Sequence, residues 1–536
     1  MRYRFIFLIM RIHRIYKTLL WLFLAFLLGA CGGGVGGSRR FTIISGSENE
    51  TLAPIIAEYG RKTGIDFEIT YKGSVDIMLE LAGGDFDYDA VWPANGLWVS
   101  LGDRQRKVKH LASIMTSPVV FGIRRSVAER LGYIGRDVKG SDILRDIRGG
   151  KLSFMMTSAT QSNSGASAYL GFLYALAGNP DVLTRDHLTS PALQSDIRDL
   201  LGGINRSSGS SGWLKDLFLS SDYEAMVNYE AVLIETNREL EASGRELLYF
   251  VYPIDGTAIA DSPLGYYDSK DTGKEKTFLK LQEYLKSAPV QESIAREGRR
   301  TGIAGTSAAM DPKVFRREWG IDPDRILTPI RMPQEDILSE ALRLYQTEFR
   351  KPSFAVYALD YSGSMAGAGE RQLKDAMALL LDPELSAPFM LQPGREDRIL
   401  VLPFSGGILD VWEARGGDSA QLAALKARIE NLKPTGRTDI YTPAIEALML
   451  IAKSGVYGST ISSVVLMTDG ESNTGRTYSD LEKQWKELGL DVPVFCILFG
   501  EASRDQLETI AELTRARIFD GRKDLVAAFR QVRGYN

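Results

Sequence analysis

The feature that most constrains the fold of this chain is an uninterrupted apolar run, Phe354 to Leu359, which is followed at once by a polar loop beginning at Asp360. A strand without polar alternation is typical of a parallel sheet that is covered on both faces. Strand and helix patterns alternate after it, which predicts a doubly wound α/β domain over residues 353–536. The further predicted strands are 398–403, 463–467 and 492–498, and the predicted helices are 370–381, 418–430, 441–453, 478–488 and 504–514.

Three loops at predicted strand ends carry oxygen ligands. The first strand ends in the run Asp360-Tyr361-Ser362-Gly363-Ser364, Thr438 lies in a later loop, and Asp469 follows the strand 463–467. Open α/β sheets bind their ligands at the carboxyl ends of the strands. Hydroxyl and carboxylate oxygens with few charges suit a hard cation such as Mg²⁺.

These residues together resemble the metal-ion-dependent adhesion site of von Willebrand factor type A (VWA) domains. That site has an Asp-x-Ser-x-Ser loop, then a threonine, then an aspartate in a Thr-Asp-Gly turn. The resemblance implies a Rossmann-like domain in which a divalent cation is bound, Mg²⁺ or otherwise Mn²⁺ or Ca²⁺. The implied metal residues are Ser362, Ser364 and Thr438 as direct ligands, with Asp360 and Asp469 acting directly or through water. Arg437 departs from the family, in which glycine commonly precedes the threonine.

The expected chemistry of this site is binding. Few direct carboxylates would leave the cation electrophilic, with an open position for an acidic group of a protein partner. Catalysis would also need a positioned base or nucleophile, and the sequence places none beside the loops. The runs Ser45-Gly46-Ser47 and Ser362-Gly363-Ser364 are not nucleophile elbows. We therefore predict a binding protein with no catalytic residues.

Residues 41–330 begin with a strand, a helix, a strand and a helix, an order that predicts a parallel α/β sheet. The predicted elements are 41–44, 51–62, 67–71 and 74–82, with a further strand over 88–92. The layout resembles type II extracellular solute-binding proteins and implies a two-lobed module like a periplasmic binding protein. In that layout Ser117 to Ile123 enters the second lobe, Phe250 to Pro253 returns to the first, and helix 275–286 completes the first lobe.

Polar side chains at strand ends and helix starts are the candidate ligands of the cleft between the lobes. A hydroxyl-rich segment, 157–167, precedes an apolar helix predicted at 168–177, and such a helix start offers hydrogen-bond donors to an anion. We expect a small solute, with an oxyanion among the candidates. The alternatives are an ordinary helix cap, a vestigial cleft, and a cleft that serves a protein partner. The candidate residues are Ser45, Ser47, Asn95, Ser162, Asn163, Ser164, Asn228, Tyr229 and Glu230.

The N-terminus has the pattern of an export signal. A basic segment, 1–18, precedes an uncharged apolar run, Leu19 to Ala30, and a glycine-rich tether at 32–40 follows Cys31. Leu28-Gly29-Ala30-Cys31 resembles the lipobox of bacterial lipoproteins, which implies that Cys31 is acylated. The apolar run is short for a spanning helix, and an uncleaved membrane anchor is the alternative. We predict a lipid-anchored protein of the cell surface or periplasm, with residues 1–31 as the signal or anchor.

Residues 331–352 predict an amphipathic connector helix that docks the two modules, because Leu338, Ala341, Leu342 and Tyr345 share one face. Composition then excludes several classes. The net charge is -4, from 64 basic and 68 acidic residues, so nucleic acid is not an expected partner. Three histidines do not make a histidine-rich zinc site. Cys496 lies in an apolar strand, so no internal disulfide with Cys31 is expected.

Two functions remain open from the sequence. The first is a surface adhesin or sensor that couples a solute-binding-like module to a metal-dependent protein contact. The second is a receptor of an ABC-type transport system, in which residues 41–330 deliver a solute to a permease and the VWA domain is an accessory.

Overall fold

The computed structural model describes residues 39–84, 86–302, 310–498, 504–522 and 525–533. Three sheets organise these residues, two in the N-terminal module and one in the C-terminal domain. The predicted signal with Cys31, and the tether up to residue 38, lie outside the described residues. In the described ranges, no helix combines the length and the apolar character that crossing a membrane requires.

The N-terminal module has two lobes, each built on its own sheet. Its strands are β1 (Arg39–Gly46), β2 (Ile65–Lys72), β3 (Ala90–Trp92), β4 (Val108–Ser113), β5 (Ser117–Arg124), β6 (Phe154–Thr157), β7 (Ile204–Ser208), β8 (Ala225–Tyr229), β9 (Leu248–Val251), β10 (Ala258–Ala260) and β11 (Pro263–Tyr267). The first sheet has the order β2-β1-β3-β11-β4, and the second has the order β10-β5-β8-β6-β7 with β9 beside β5. The predicted parallel pairing holds for β1 with β2 and β3, whereas β11 pairs antiparallel with both β3 and β4.

Twelve described helices cover these two sheets. They are α1 (Ala53–Thr63), α2 (Ser74–Gly83), α3 (Gly96–Gly102), α4 (Arg125–Leu131), α5 (Gly140–Arg148), α6 (Asn163–Leu176), α7 (Arg185–Thr189), α8 (Pro191–Gly202), α9 (Ser211–Leu219), α10 (Glu230–Ala242), α11 (Thr272–Lys286) and α12 (Ala288–Arg296). Short 3₁₀ turns lie at Ser47–Leu52 and Arg317–Trp319. Helix α11 packs in the core of the first lobe, as predicted for 275–286.

Two predictions for this module were wrong in detail. The segment expected to return to the first lobe, 250–253, begins in β9, which ends at Val251 and pairs with β5 in the second sheet. The chain returns through β11 instead, where Leu264 and Tyr266 pack with the first-lobe core. An apolar strand fits either sheet, so the pattern alone does not decide which one it joins. The helix predicted at 168–177 begins at Asn163, which moves Asn163 and Ser164 from a loop into the first helical turn.

The connector is a helix, α13 (Glu335–Leu344), which continues into a π-helical turn at Tyr345–Phe349. Its shared apolar face is buried in the core of the second lobe. The hydroxyl of Tyr169 donates to the carbonyl of Ala341 at 2.9 Å. Gln346 accepts from Thr160 of the second lobe at 3.2 Å and donates to the carbonyl of Gln392 at 3.0 Å. The connector therefore packs against both modules.

The C-terminal domain is a six-stranded sheet with helices on both faces. Its strands are β12 (Ser353–Asp360), β13 (Arg398–Phe404), β14 (Trp412–Arg415), β15 (Ile461–Thr468), β16 (Val494–Leu498) and β17 (Ile518–Asp520), in the order β14-β13-β12-β15-β16-β17. Its helices are α14 (Ala368–Leu381), α15 (Pro383–Ser386), α16 (Ser419–Asn431), α17 (Tyr441–Lys453), α18 (Tyr478–Leu488), α19 (Arg504–Leu513) and α20 (Leu525–Arg533), with 3₁₀ turns at Gly363–Met365 and Ala387–Phe389.

The sheet is parallel except for the edge strand β14. Alternate residues of β12 enter two different cores: Tyr357 and Leu359 pack on one face, and Val356 and Ala358 pack on the other. This two-sided burial explains why the strand has no polar alternation. Strands β14 and β17 and helix α20 were not predicted, because they are short or lie at the end of the chain.

Candidate functional site

Backbone hydrogen bonds join the loop after β12 to the end of β13 and to the threonine loop between α16 and α17. The N–H of Tyr361 donates to the carbonyl of Phe404 at 2.7 Å, and the N–H of Thr435 donates to the carbonyl of Tyr361 at 2.7 Å. The N–H of Gly363 donates to the carbonyl of Gly436 at 3.1 Å. The Asp-x-Ser-x-Ser loop and the threonine loop are therefore held side by side. The prediction that Thr438 lies at a strand end was wrong, because its loop joins the end of α16 to the start of α17 and no strand precedes it.

Two hydroxyls and one carboxylate form a direct chain at this edge. Ser362 Oγ and Ser364 Oγ are 3.1 Å apart, and Ser364 Oγ donates to Asp469 Oδ1 at 2.9 Å. Ser362 is buried, whereas Ser364 is exposed and Asp469 is partly exposed. The group is therefore open to solvent on the side of Ser364.

The other two predicted residues flank the same point. Asp360 is fully buried, and its carboxylate accepts from the hydroxyl of Thr468 at 2.6 Å and from the N–H of Ser362 at 2.7 Å. A β-carbon at Gly470 would lie 3.3 Å from Thr438 Oγ1 and 3.4 Å from Ser364 Oγ, so both hydroxyls face the glycine that follows Asp469. All five predicted metal residues thus meet at one edge of the sheet.

The two carboxylates lie in an environment that disfavours their charge. Burial raises the pKa of Asp360, although hydrogen bonds from Thr468 and Ser362 act to lower it, and the charge of Asp469 adds to the rise. Burial also raises the pKa of Asp469, against the hydrogen bond from Ser364. A nearby cation would favour the charged form of both groups.

The donor set fits a hard divalent cation better than a soft one. It consists of two carboxylates and three hydroxyls, which are oxygen ligands of the kind that Mg²⁺ takes. Among the residues that the structure describes, no three histidine, cysteine, aspartate or glutamate side chains cluster in a way that would hold a metal. Any cation bound here would rely on the hydroxyls as well as the two carboxylates. Arg437 is exposed beside Thr438.

Two residues that were not predicted as part of the site, Asn473 and Asp439, hold the backbone around Thr438. The N–H of Asn473 donates to the carbonyl of Thr438 at 2.9 Å, and Asn473 Oδ1 accepts from the N–H of Thr438 at 3.3 Å. Asp439 Oδ1 accepts from the N–H groups of Tyr441 and Thr442 at 3.2 and 3.0 Å, at the start of α17. Asn473 lies two residues beyond the Thr-Asp-Gly-Glu run, and this closeness in sequence could have indicated that it supports the site.

The cleft of the N-terminal module is closed in this structure. The N–H of Val75 in the first lobe donates to the carbonyl of Gln161 in the second at 3.1 Å. The indole of Trp98 donates to Asn163 Oδ1 at 2.7 Å, and Ser47 Oγ accepts from the N–H of Gly212 at 3.4 Å. The predicted residues Ser47 and Asn163 therefore lie where the lobes meet.

The predicted hydroxyls of the second lobe bond largely to one another. Ser164 Oγ lies 2.8 Å from Thr157 Oγ1, 2.7 Å from Ser211 Oγ and 3.2 Å from Ser162 Oγ. All four side chains are buried. Ser211, at the start of α9, is a member of this network that the sequence did not indicate.

Ser45, Asn228 and Tyr229 have partners inside the protein. Ser45 Oγ accepts from Asn49 at 3.1 Å, and Asn228 Nδ2 donates to the carbonyl of Ser211 at 3.0 Å. The hydroxyl of Tyr229 accepts from Asn163 Nδ2 at 3.0 Å. These contacts pack the closed cleft with polar side chains.

Two predicted cleft residues, Asn95 and Glu230, form hydrogen bonds that stabilise the fold around the cleft. Asn95 caps α3, where its Oδ1 accepts from the N–H of Leu97 at 2.9 Å. Glu230 accepts two hydrogen bonds from Arg300, each 2.7 Å long, and one from the hydroxyl of Tyr252. Both roles place these side chains in the framework of the cleft.

A cavity of about 20 Å³ remains between the lobes, with room for about one water molecule. Glu48, Asn49, Ser262 and Arg299 line it together with Tyr229. Within the described residues, Glu48 Oε1, Asn49 Oδ1 and Ser262 Oγ have no hydrogen-bond partner. Burial raises the pKa of Glu48 to about 7, against the lowering effects of a backbone hydrogen bond and of Arg299. No local pattern in the sequence indicates that Arg299 and Ser262 lie beside Glu48.

Comparison with known families identifies both modules. Residues 41–300 match the family model of bacterial extracellular solute-binding proteins. Residues 356–526 match the model of the von Willebrand factor type A domain. The chain joins an extracellular solute-binding domain to a VWA domain. The solute-binding match indicates an exported protein.

Individual relatives cover parts of the chain. The human inter-alpha-trypsin inhibitor heavy chain H2 is 28% identical over 143 residues, which are 25% of this chain and 14% of that protein. This chain therefore spans about one seventh of the length of that relative. The sulfate-binding protein SubI of Mycobacterium tuberculosis covers 56% of this chain and 96% of its own, at 17% identity and a TM-score of 0.40. A von Willebrand factor type A structure from Catenulispora acidiphila covers 35% of this chain and 43% of its own, at 19% identity and a TM-score of 0.29.

Proposed function

We propose that the VWA domain binds a divalent cation, with Mg²⁺ the first candidate, through Ser362, Ser364, Thr438, Asp360 and Asp469. The observation that carries the proposal is the convergence of these five oxygen-bearing side chains on one sheet edge from three separated loops. A bound cation would supply a Lewis-acidic position for an acidic group of a protein partner. The exposed side at Ser364 is where that group would approach.

The two aspartates at this site hold the loop and orient a hydroxyl, and the hydroxyls face the proposed cation. Asp360 holds the backbone of the serine loop through the N–H of Ser362 and is itself fixed by Thr468. Asp469 orients Ser364. The hydroxyls present neutral oxygens, so a bound cation would keep its positive charge for the partner where Asp360 and Asp469 act through water. We propose no catalytic role for these residues.

Calorimetric titration of the full chain with Mg²⁺ tests the metal site, with Asp360→Ala as the variant. We expect measurable Mg²⁺ binding by the wild type and a strong loss in the variant, since a buried carboxylate is removed with little apolar packing. Circular dichroism checks that the variant is folded. A folded variant that binds Mg²⁺ as tightly as the wild type would show that the metal site is wrongly assigned.

The partner contact has its own experiment. An array of acidic peptides, each paired with a peptide in which Asp and Glu are replaced by Asn and Gln, is incubated with the chain in Mg²⁺ or in EDTA. Retention should require both the acidic residue and the cation. Retention that persists in EDTA would contradict a metal-mediated contact.

The solute-binding domain is proposed to bind a small solute between its lobes, at the polar groups that meet there. Three buried oxygens beside the cavity, on Glu48, Asn49 and Ser262, have no hydrogen-bond partner in the part of the chain that the structure describes, which supports this proposal. A thermal-shift screen of oxyanions, sugars and amino acids tests it, because a solute at 100 times its dissociation constant stabilises the folded state by about 2.7 kcal/mol. No shift from any class would favour a vestigial cleft or a cleft for a protein partner. The transport-receptor alternative would be favoured by a permease that binds this domain.

The chain is further proposed to be lipid-anchored through Cys31. Metabolic labelling with a fatty-acid analogue should mark the wild type and leave Cys31→Ser unlabelled. Equal labelling of the two proteins would refute the anchor at this residue, and an uncleaved N-terminal anchor would then be the better explanation.

A further inference from the structure

The VWA domain packs against the second lobe of the solute-binding domain through buried polar contacts. Arg206 of β7, with 3% of its surface exposed, donates to the carbonyl of Asp491 at 3.3 Å and to the carbonyl of Arg515 at 3.1 Å. The hydroxyl of Tyr223, also in the second lobe, donates to the carboxylate of Asp491. Polar groups buried in this way are costly to separate unless water replaces every partner.

An apolar contact joins the same two bodies. Trp213 of α9 packs against the hydrophobic core of the VWA domain, and the guanidinium of Arg517 lies 4.6 Å from the centre of its ring. The connector helix α13 is buried in the second lobe as well. The second lobe and the VWA domain therefore form one packed unit.

The first lobe is tied to this unit by an ion pair with α20. Arg530 Nη2 lies 2.6 Å from Asp76 Oδ1, in the first turn of α2, and the two side chains are only 15% and 13% exposed. The backbone carbonyl of Arg530 accepts a hydrogen bond from Gln161 Nε2 of the second lobe. One residue of the VWA domain thus bonds to both lobes of the solute-binding domain.

These contacts lie at the mouth of the cleft. A β-carbon at Gly73 would lie only 2.2 Å from the carbonyl oxygen of Gln161, so the lobes approach each other here as closely as a glycine permits. A cavity of about 210 Å³ beside this point is lined by both lobes and by β17 of the VWA domain, with Tyr71, Gln161 and Phe519 among its walls. The VWA domain therefore covers the entrance where the two lobes meet.

We propose that the VWA domain is a latch on the closed cleft. With the solute binding proposed above, on which this part of the inference rests, solute binding and VWA docking are coupled. The 20 Å³ left between the closed lobes is too small for a sugar or an amino acid, so a solute must enter when the lobes part. Parting moves Asp76 away from Gln161, and Arg530 then loses one of its two partners. A solute that favours closure therefore favours the latched VWA position, and the latch in turn strengthens solute binding by the same free energy.

Hydrogen exchange of the full chain, without added solute or metal, tests the latch. The amide of Val75 reports on closure because its hydrogen bond crosses from the first lobe to Gln161. In Arg530→Ala we expect this amide to exchange at least about tenfold faster than in the wild type. Asp76→Asn, which keeps the shape of the side chain, should have the same direction of effect. The matched control is Arg504→Ala, since Arg504 pairs with Glu508 on the surface of α19.

A charge reversal makes the test specific to the pair. Asp76→Arg and Arg530→Asp should each speed exchange at Val75, and the double variant should exchange more slowly than either. Amides in the middle of β5 and β12 should stay unchanged in every variant. Unchanged exchange at Val75 in Arg530→Ala would overturn the latch. Faster exchange throughout the domain would overturn it too, because it would mean general destabilisation. Neither result depends on whether the VWA domain binds a metal.

Discussion

Ser364 and Asp469 are separated by 105 positions in the chain, yet the serine hydroxyl donates a hydrogen bond to the aspartate carboxylate at 2.9 Å. The contact exists because β12 and β15 are parallel neighbours whose carboxyl ends reach the same edge of the sheet. The two residues belong to the proposed metal site, and Ser364 is its exposed member.

Ser364→Ala should weaken Mg²⁺ binding by at least about tenfold, a loss of the size seen when even a group that supports a metal ligand is removed. The change deletes one oxygen from an exposed position, so the free energy of unfolding without metal should hardly change. Calorimetric titration measures the affinity. Ser459→Ala is the control, because Ser459 precedes the other end of β15. Equal affinities in the two variants would remove Ser364 from the site.

Gly475→Ala should destabilise the VWA domain. Gly475 has a φ of +79°, and a β-carbon there would lie 1.7 Å from Asp439 Oδ2, the side chain that caps α17. Gly489→Ala is the control, because Gly489 has a φ of +60° with no atom near its β-carbon, so it carries the backbone strain alone. Denaturant unfolding should show a larger loss for Gly475→Ala, by at least about 1 kcal/mol. The same loss in both variants would mean that the Asp439 contact is unimportant.

Arg350→Ala should destabilise the junction between the modules by about 3 kcal/mol, the usual cost of leaving one partner of a buried ion pair. Arg350 is 9% exposed and pairs with Asp397, which is 1% exposed and also accepts from the N–H of Ser353 at 2.8 Å. Arg343→Ala removes an exposed pair with Glu340 and should cost less than about 1 kcal/mol. Denaturant unfolding of both variants measures the loss in the free energy of unfolding. A small loss for Arg350→Ala would show that the remaining hydrogen-bond donors are enough to stabilise the Asp397 carboxylate.

Glu48 should make the solute-binding domain less stable as the pH rises. Burial raises its pKa from 4.5 to about 7, so the folded chain holds this proton more tightly than the unfolded chain. Its contribution to stability is therefore complete below pH 4.5 and is lost as the pH passes about 7. Glu48→Gln removes the titration, and the variant should exceed the wild type by up to about 3 kcal/mol at pH 8. Unfolding at pH 5 and pH 8 measures this gain, and a gain that does not grow with pH would contradict it.

The VWA half of the chain was predictable because its signals are local. The apolar run before Asp360 indicates that the strand is buried, and Asp360 itself marks where the strand ends and the loop begins. The serine and threonine residues then add the ligand chemistry. The rule that parallel strands end at one edge was enough to predict that Asp360, Ser364 and Asp469 would meet, although the hydrogen bond between the last two needed the structure.

The solute-binding half was predictable in outline and less so in detail. The segment 250–253 was assigned to the first lobe, whereas its first two residues belong to β9 of the second sheet. An apolar run indicates that a strand is buried, but it does not indicate which sheet the strand joins. Glu230 stays a predicted cleft ligand, and the structure adds its partner Arg300, which lies 70 positions away. No local pattern links two such residues.

The sequence by itself determined the class of each module, the order of most strands and helices, and the oxygen chemistry of the loops at the proposed metal site. Only the tertiary structure decided which polar groups, among the described residues, have no partner in the cleft, and that the VWA domain lies across its mouth. The pair of Asp76 and Arg530 spans 454 positions, and each residue reads as an ordinary surface charge in its own helix. Contacts between residues so far apart in the chain depend on how two folded domains pack against each other. The periodicity of a single strand or helix indicates which of its faces is buried, but not which domain covers that face.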